Sequence, residues 1–264
     1  MNQKALELAK AFKVVGKDPE VYIASAFFDE SSREWVSAKE KEFQGIGIPY
    51  FSPREDGLNF NEVEGDLRAE RIRTIFKNNV RNLKTCKHIC INLTPCNGKL
   101  DIGTLWELGY FLGYHDDLNF EDDDYNTLAA SPEIKDLVLE IIKNLKHLAD
   151  SNETSEQINK LLLIKNLNEG RVKDSLDLID ANYEVKSLSS TLSGLDLNAK
   201  KIVFVTDEWP MQSFILMGWL YAREVKYYTA SFKGYGSNVM VAASSKGHIQ
   251  LPGLVDDTYS QNLK

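Results

Sequence analysis

Short β-rich runs alternate with helix-period runs along most of this chain, and that order constrains its fold more than any other feature. Val21-Tyr-Ile-Ala-Ser25 follows Asp18-Pro19 and reads as a first strand. Ser31 to Phe43 is charged, carries Trp35, Ala38 and Phe43 on helical spacing, and runs into Gly45 and Gly47, where a helix would stop. Ile48 to Ser52, closed by Pro53, reads as a second strand. Leu67 to Leu83 places Leu67, Ile72, Ile75, Phe76, Val80 and Leu83 mostly three or four residues apart, which predicts a helix. His88 to Leu93 reads as a third strand, and Thr104 to Tyr114 as the helix after it. Alternation resumes with strand Ile202 to Thr206, helix Met211 to Ala222 and strand Val225 to Thr229. Strand–helix–strand order predicts a doubly wound α/β fold, Rossmann-like or flavodoxin-like, with a mostly parallel sheet of five or six strands.

The alternation breaks at His115. Six acids fall between Asp116 and Asp124, a solvated charge run. Ser131-Pro132-Glu133 then opens a helix with an apolar stripe of Ile134, Leu137, Val138, Ile141, Ile142, Leu145 and Leu148. A further helix is expected from about Ser155 to Leu167, ending at Gly170. Residues 116–200 therefore read as a mainly helical insertion within a single domain spanning 1–264. The stripe is too apolar to face water, so it must pack on the core, on the second helix or on another subunit.

Composition narrows the function classes. Of 264 residues, 31 are Lys or Arg and 39 are Asp or Glu, giving a formal net charge of −8. A pI near 5.2 argues against non-specific binding to nucleic-acid polymers or anionic membranes, whose phosphates repel such a surface. No apolar stretch approaches the roughly 18–20 residues that span a bilayer. Met1 to Glu20 lacks the apolar core of a signal peptide and is too acidic for a transit peptide, so a cytoplasmic protein is expected. Cys86, Cys90 and Cys96 are odd in number and too close for a disulfide framework. With His88 they lack the paired spacing of a zinc site, although Cys86, His88 and Cys90 would share one strand face. Buried or incidental thiols are the preferred reading, and neither a metal nor a cofactor is expected.

Chemistry concentrates in Asp101-Ile-Gly-Thr-Leu-Trp-Glu-Leu-Gly-Tyr110, just beyond the third strand, at the carboxyl edge where doubly wound folds build their sites. Asp101 in the loop and Glu107 in the first helical turn can converge on one pocket. Thr104 and Glu107 also have capping-box spacing, in which the glutamate only satisfies a helix-end amide. Spacing alone leaves both open. A fainter feature is an echo: Ser213-Phe-Ile-Leu-Met-Gly-Trp219 matches Thr104-Leu-Trp-Glu-Leu-Gly-Tyr110 in hydroxyl, apolar, glycine and aromatic positions, with Leu216 opposite Glu107. Helix-period patterns recur readily, so chance is the simpler reading of this pair.

Three segments together resemble the nucleoside 2-deoxyribosyltransferases. Val21-Tyr22-Ile23-Ala24-Ser25-Ala26-Phe27-Phe28 matches that family's opening strand, small-residue turn and aromatics. Asp101, Gly103, Thr104, Glu107, Leu108 and Gly109 match its Asp, Gly, small residue and nucleophilic Glu before Leu-Gly. Asn238-Val239-Met240 matches a later Asn-Leu-Met segment. The resemblance covers roughly 20–114 and 223–250.

It implies that Glu107 attacks the anomeric carbon of a 2′-deoxynucleoside, expels the base, and passes the sugar to a second free nucleobase or to water. A carboxylate suits an oxocarbenium-like transition state, and a covalent ester divides one hard step into two. Deoxyribose helps, because it lacks the electron-withdrawing 2-hydroxyl. The resemblance further implies that Asp101 binds the sugar and assists protonation of the base, and that Tyr22 positions the nucleophile. Phe27 and Phe28 would stack on the base, and Asp56 would bond its edge. Asn238 and Met240 would complete the site of a neighbouring subunit in a homo-oligomer with shared sites.

Two departures stand out. Where the family has a second Asp in the helix before the third strand, this chain has Asn79, which can hold a base or hydroxyl but cannot act as an acid. The chain is also longer than family members by the 116–200 span. Both leave open a nucleoside or nucleotide hydrolase, or a catalytically inactive nucleotide sensor. Without the resemblance, Tyr22, Phe27 and Phe28 read as core aromatics, Asn238 as a turn residue and Asp56-Gly57 as a turn.

Overall fold

The computed structural model describes residues 18–57, 68–115, 118–120, 123–150, 202–205, 211–224, 227–231, 238–245 and 248–250. The helix expected over 155–167 lies outside them.

The first unit runs β1 (Val21–Ser25), α1 (Glu30–Ile46), β2 (Tyr50–Phe51), α2 (Pro53–Asp56), α3 (Arg68–Thr85), β3 (His88–Asn92), α4 (Ile102–Tyr114), β4 (Thr127–Ala129) and α5 (Pro132–Asp150). Its strands form one parallel sheet in the order β2-β1-β3-β4, with Tyr22 paired to Phe51 on one side and Ile89 on the other. Period two sorts β1 cleanly. Val21 and Ile23 join Val36, Phe43 and Cys90 on the α1 face, while Tyr22 and Ala24 face the larger core containing Leu105, Trp106 and Leu108 of α4. Asp29 caps α1 by accepting from Ser32 N–H (2.8 Å), and Gly47 ends it in the left-handed region at φ 73°.

A second unit follows: β5 (Ile202–Val205), α6 (Met211–Ala222), β6 (Tyr227–Ser231), α7 (Val239–Ser244) and β7 (His248–Gln250). Its strands pair in parallel as β5-β6-β7. This corrects the expectation of one sheet of five or six strands. The fold is doubly wound α/β, but its described strands divide into a sheet of four and a sheet of three. The reason is the helix pair between them: α4 packs on β1 and β3, α6 on β6, and the two helices lie against each other. A Cβ on Gly109 would strike the Ile215 carbonyl, and one on Gly218 the Trp106 carbonyl, so bare backbone is what permits the approach.

The span read as an insertion begins inside the first unit. β4 adds to the sheet, and Ile134, Leu137, Val138, Ile141, Ile142 and Leu145 of α5 pack into the main core, as their stripe requires. A three-residue strand after an acidic run leaves too little pattern to read. Cys86 and Cys90 also part company: β3 starts only at His88, so Cys86 joins the core beside Leu83 and Cys90 faces α1. All three thiols are free and buried. Burial pushes Cys90 up to about 11. Among the described residues no helix is long and apolar enough to cross a membrane.

Candidate active site

Four segments meet on the α4 face of the first sheet. β1 supplies Tyr22, α3 supplies Asn79, and the start of α4 supplies Asp101 and Glu107. The start of α7 supplies Asn238 and Met240.

Asp101 is the N-cap of α4. Its Oδ2 accepts from Thr104 N–H and from Thr104 Oγ1, each at 2.8 Å. Helix thus begins at Ile102 rather than Thr104, and Glu107 lies in the second turn, beyond reach of the orphan amides at the helix start. This removes the capping-box reading: Asp101 satisfies the end of α4, and Glu107 has no structural amide to serve.

Glu107 is instead held by side chains. Tyr22 Oη donates to Glu107 Oε1 at 2.7 Å, and Asn79 Nδ2 donates to the same oxygen at 3.1 Å. Among the described residues Oε2 has no partner. The carboxyl is buried, with 6% of the residue exposed. Burial pushes it up to about 8; the Tyr22 bond opposes that shift, the Asp101 charge adds to it, and the Asn79 bond opposes it. Tyr22 is completely buried, which together with the Glu107 charge drives its phenol well above the usual range. The phenol therefore stays a donor.

Asn79 occupies a core-facing position of α3, between Phe76 and Leu83. Its Nδ2 also lies 3.8 Å from Met240 Sδ, while its buried Oδ1 has no partner among the described residues. Asn238 caps α7, accepting from Met240 N–H at 3.0 Å and Val241 N–H at 3.4 Å. Gly103 lies where the two helix starts come together. A Cβ there would lie 3.1 Å from Asn238 Nδ2 and 3.2 Å from Asp101 Oδ2. Asn238 and Met240 stand beside Gly103 and Asn79 of their own chain, where α7 packs on α3 and α4.

The remaining predicted residues lie at the carboxyl edge of the sheet, after β1 and β2. Phe27 and Phe28 follow β1 with ring centroids 5.0 Å apart, and Phe28 is 65% exposed, so it is not a core aromatic. Asp56 ends α2, and its Oδ2 accepts from Ser52 N–H at 3.0 Å. No described hydrogen bond links Phe27, Phe28 or Asp56 to Glu107.

Sequence reading missed the supports of this edge. Buried Glu40 of α1 accepts from Ser52 Oγ at 2.6 Å and pairs with Arg54, fixing the turn that carries Asp56. Asn92 at the end of β3 donates to Ser25 Oγ at 3.3 Å and accepts from Thr94 N–H at 3.0 Å. Asp29 Oδ2 accepts from Asn97 N–H at 3.1 Å, joining the α1 cap to the loop before α4.

A family model for nucleoside 2-deoxyribosyltransferases matches residues 21–158, half of the chain. The chain belongs to that family. Comparison with curated proteins and with solved structures gives no match. The deoxyribosyltransferase match takes in Tyr22, Asn79, Asp101 and Glu107 and stops before the second unit. Membership places the chain among enzymes that act on small-molecule nucleosides. Among the described residues, no three His, Cys, Asp or Glu side chains are grouped to hold a metal.

Proposed function

We propose that the protein exchanges the base of 2′-deoxyribonucleosides through a covalent ester of deoxyribose with Glu107. The observation that carries this reading is the buried Glu107 carboxyl, tied through Oε1 to Tyr22 and Asn79 with Oε2 left over. A carboxylate with one oxygen fixed and the other unengaged is a preorganised nucleophile.

In the first half, Glu107 Oε2 forms a bond to C1′ while the C1′–N bond breaks. The base leaves with the bonding electron pair and takes up a proton. In the second half, a nitrogen of an incoming base attacks C1′ and returns its proton to the donor that protonated the first base, Asp101 or water, while the ester bond breaks and Glu107 regains its carboxylate. Positive charge on the sugar in both transition states is balanced by the carboxylate in a site with little water to compete. Asp101, with Oδ2 committed to Thr104, has Oδ1 to offer the sugar or the departing base. Asn79 Oδ1, a buried acceptor, would take a donor from the substrate, as buried carbonyls rarely stay unpaired. Phe27 and Phe28 offer ring faces for stacking, and Asp56, at the end of α2, offers a carboxylate to the base edge.

Incubation with deoxyadenosine or thymidine plus a foreign base tests the reading, with Glu107→Gln as the control. A new nucleoside from the wild type and none from the variant is expected, with a deoxyribosyl adduct on Glu107 visible by mass spectrometry. Free deoxyribose as the sole product would make the enzyme a hydrolase. Binding without turnover would make it a sensor.

A further inference from the structure

The α4–α6 contact is reciprocal. Gly109 of α4 abuts the carbonyl of Ile215, and Gly218 of α6 abuts the carbonyl of Trp106. In the sequence echo, Gly218 stands 109 residues after Gly109, and Ile215 stands 109 residues after Trp106. The two contacts are therefore one contact made twice with the helices exchanged. Gly113 extends the pattern. A Cβ there would lie 2.7 Å from the Trp219 carbonyl and 2.8 Å from the Cβ of Ala222, its own counterpart at the same offset. Reciprocal contacts, and a residue meeting its counterpart, are the mark of an isologous two-fold interface between identical subunits. Here both sides belong to one chain.

The surroundings repeat as well. β3–α4–β4–α5 and β5–α6–β6–α7 are each strand, helix, parallel neighbouring strand, helix. Chance similarity of two buried helices accounts for a shared pattern, but not for reciprocal backbone contacts at one constant offset. The copies differ where chemistry would lie. The offset puts Pro210, Gln212 and Leu216 in the places of Asp101, Gly103 and Glu107, whereas Ser213 and Gly218 keep the hydroxyl and glycine of Thr104 and Gly109. Buried Ser213 Oγ, whose counterpart donates to Asp101, has no partner among the described residues. Conversely, the helix after β4 opens on Ser131-Pro-Glu133, and the helix after β6 supplies Asn238 and Met240 to the Glu107 site.

We infer that the second unit is a copy of β3–α4–β4–α5, without counterparts of Asp101 and Glu107, that serves the first unit as a built-in partner subunit. One chain holds one complete site, with Glu107 and Asp101 from the first copy and Asn238 and Met240 from the second. Asn238 and Met240 act as positioning residues, flanking Gly103 and Asn79. This rests on the proposed transfer reaction only for its kinetic arm.

Two measurements decide it. The full-length double variant Asn79→Cys, Met240→Cys is treated with a short bis-maleimide, and the 79–240 cross-link is located by peptide mass after denaturing electrophoresis. The link is expected within a single 29.9 kDa chain. A link joining two chains, or none between these positions, overturns the inference whatever the protein catalyses. In the second measurement, Glu107→Ala is mixed with Asn238→Ala, Met240→Ala and assayed for base exchange with deoxyadenosine and a foreign base. No recovery above the two variants' own rates is expected. Recovery toward about a quarter of wild-type activity, the share of intact sites in randomly re-formed two-fold dimers, overturns the inference and leaves the transfer reading standing. Full activity of the Asn238, Met240 variant overturns it too. Absence of base exchange by the wild type defeats the transfer reading alone, with the cross-link still deciding this one.

Discussion

Tyr22 and Glu107 stand 85 residues apart in sequence and share a 2.7 Å hydrogen bond in the buried interior. Neither group would be well placed without the other. The carboxyl needs a donor to remain ionisable out of water, and the phenol needs an acceptor to be buried at all.

Tyr22→Phe keeps the ring and deletes that donor. A hydrogen bond to a charged group contributes about 1.5–3 kcal/mol, so kcat/KM should fall roughly tenfold to a hundredfold. Losing the Tyr22 bond also removes an influence that lowers the Glu107 pKa, so the pH–rate profile should move to higher pH. A profile that falls in height without moving would mean that Tyr22 acts on packing alone.

Burial of Glu107 also predicts a pH-dependent stability. Its pKa rises from 4.5 to about 8 on folding, so between those values the folded protein binds more protons than the unfolded chain. The contribution is fully present below about pH 4.5 and is lost as pH rises through 8. Relative to Glu107→Gln, the wild type should therefore weaken across this window, with a slope approaching about 1.4 kcal/mol per pH unit. Urea unfolding of both proteins from pH 5 to pH 9 checks the sign (about one measurement per unit suffices).

Asn79→Asp would set a second carboxyl 3.1 Å from Glu107 Oε1, where the amide now donates. Two carboxyls at that distance titrate as a pair, one of them driven upward. The rate profile should broaden and its rising limb shift to higher pH by about one unit or more. Identical profiles for purine and pyrimidine donors in both proteins would place Asn79 outside the reaction.

Gly109→Ala and Gly218→Ala should each destabilise the fold by about 1–3 kcal/mol or more, because each methyl meets backbone rather than a yielding side chain. Similar losses at the two positions are expected from the reciprocal geometry. A tolerated alanine at either would mean that the helices separate easily.

The first unit as far as α4 was legible because its signals are local. Val21–Ser25 reads as a strand from its apolar run, and the helices from their stripes and glycine stops. Glu107 and Asp101 stood out because two carboxylates bracket a helix start. Their division of labour was not legible, since Asp-x-x-Thr and Thr-x-x-Glu both fit a cap and only the backbone decides between them. The second sheet was hidden for a different reason. Strand patterns specify that β5 and β6 exist, but not which sheet they join; the separation into two sheets accompanies the close packing of two glycine-bearing helices between them. Glu40, Asn92 and Ser25 carried no signal, because lone polar residues look alike until the chain closes around them.

Reciprocal packing within one chain changes how the interface can vary. Where two identical subunits meet on an axis, every mutation is written on both sides at once, and a residue useful on one face must be tolerated on the other. Gly109 and Gly218 are separate codons, as are Glu107 and Leu216. Each side can therefore drift alone: a leucine can pack where a buried acid would otherwise have to be accommodated twice, and the shape of the pair can be kept while its chemistry becomes one-sided.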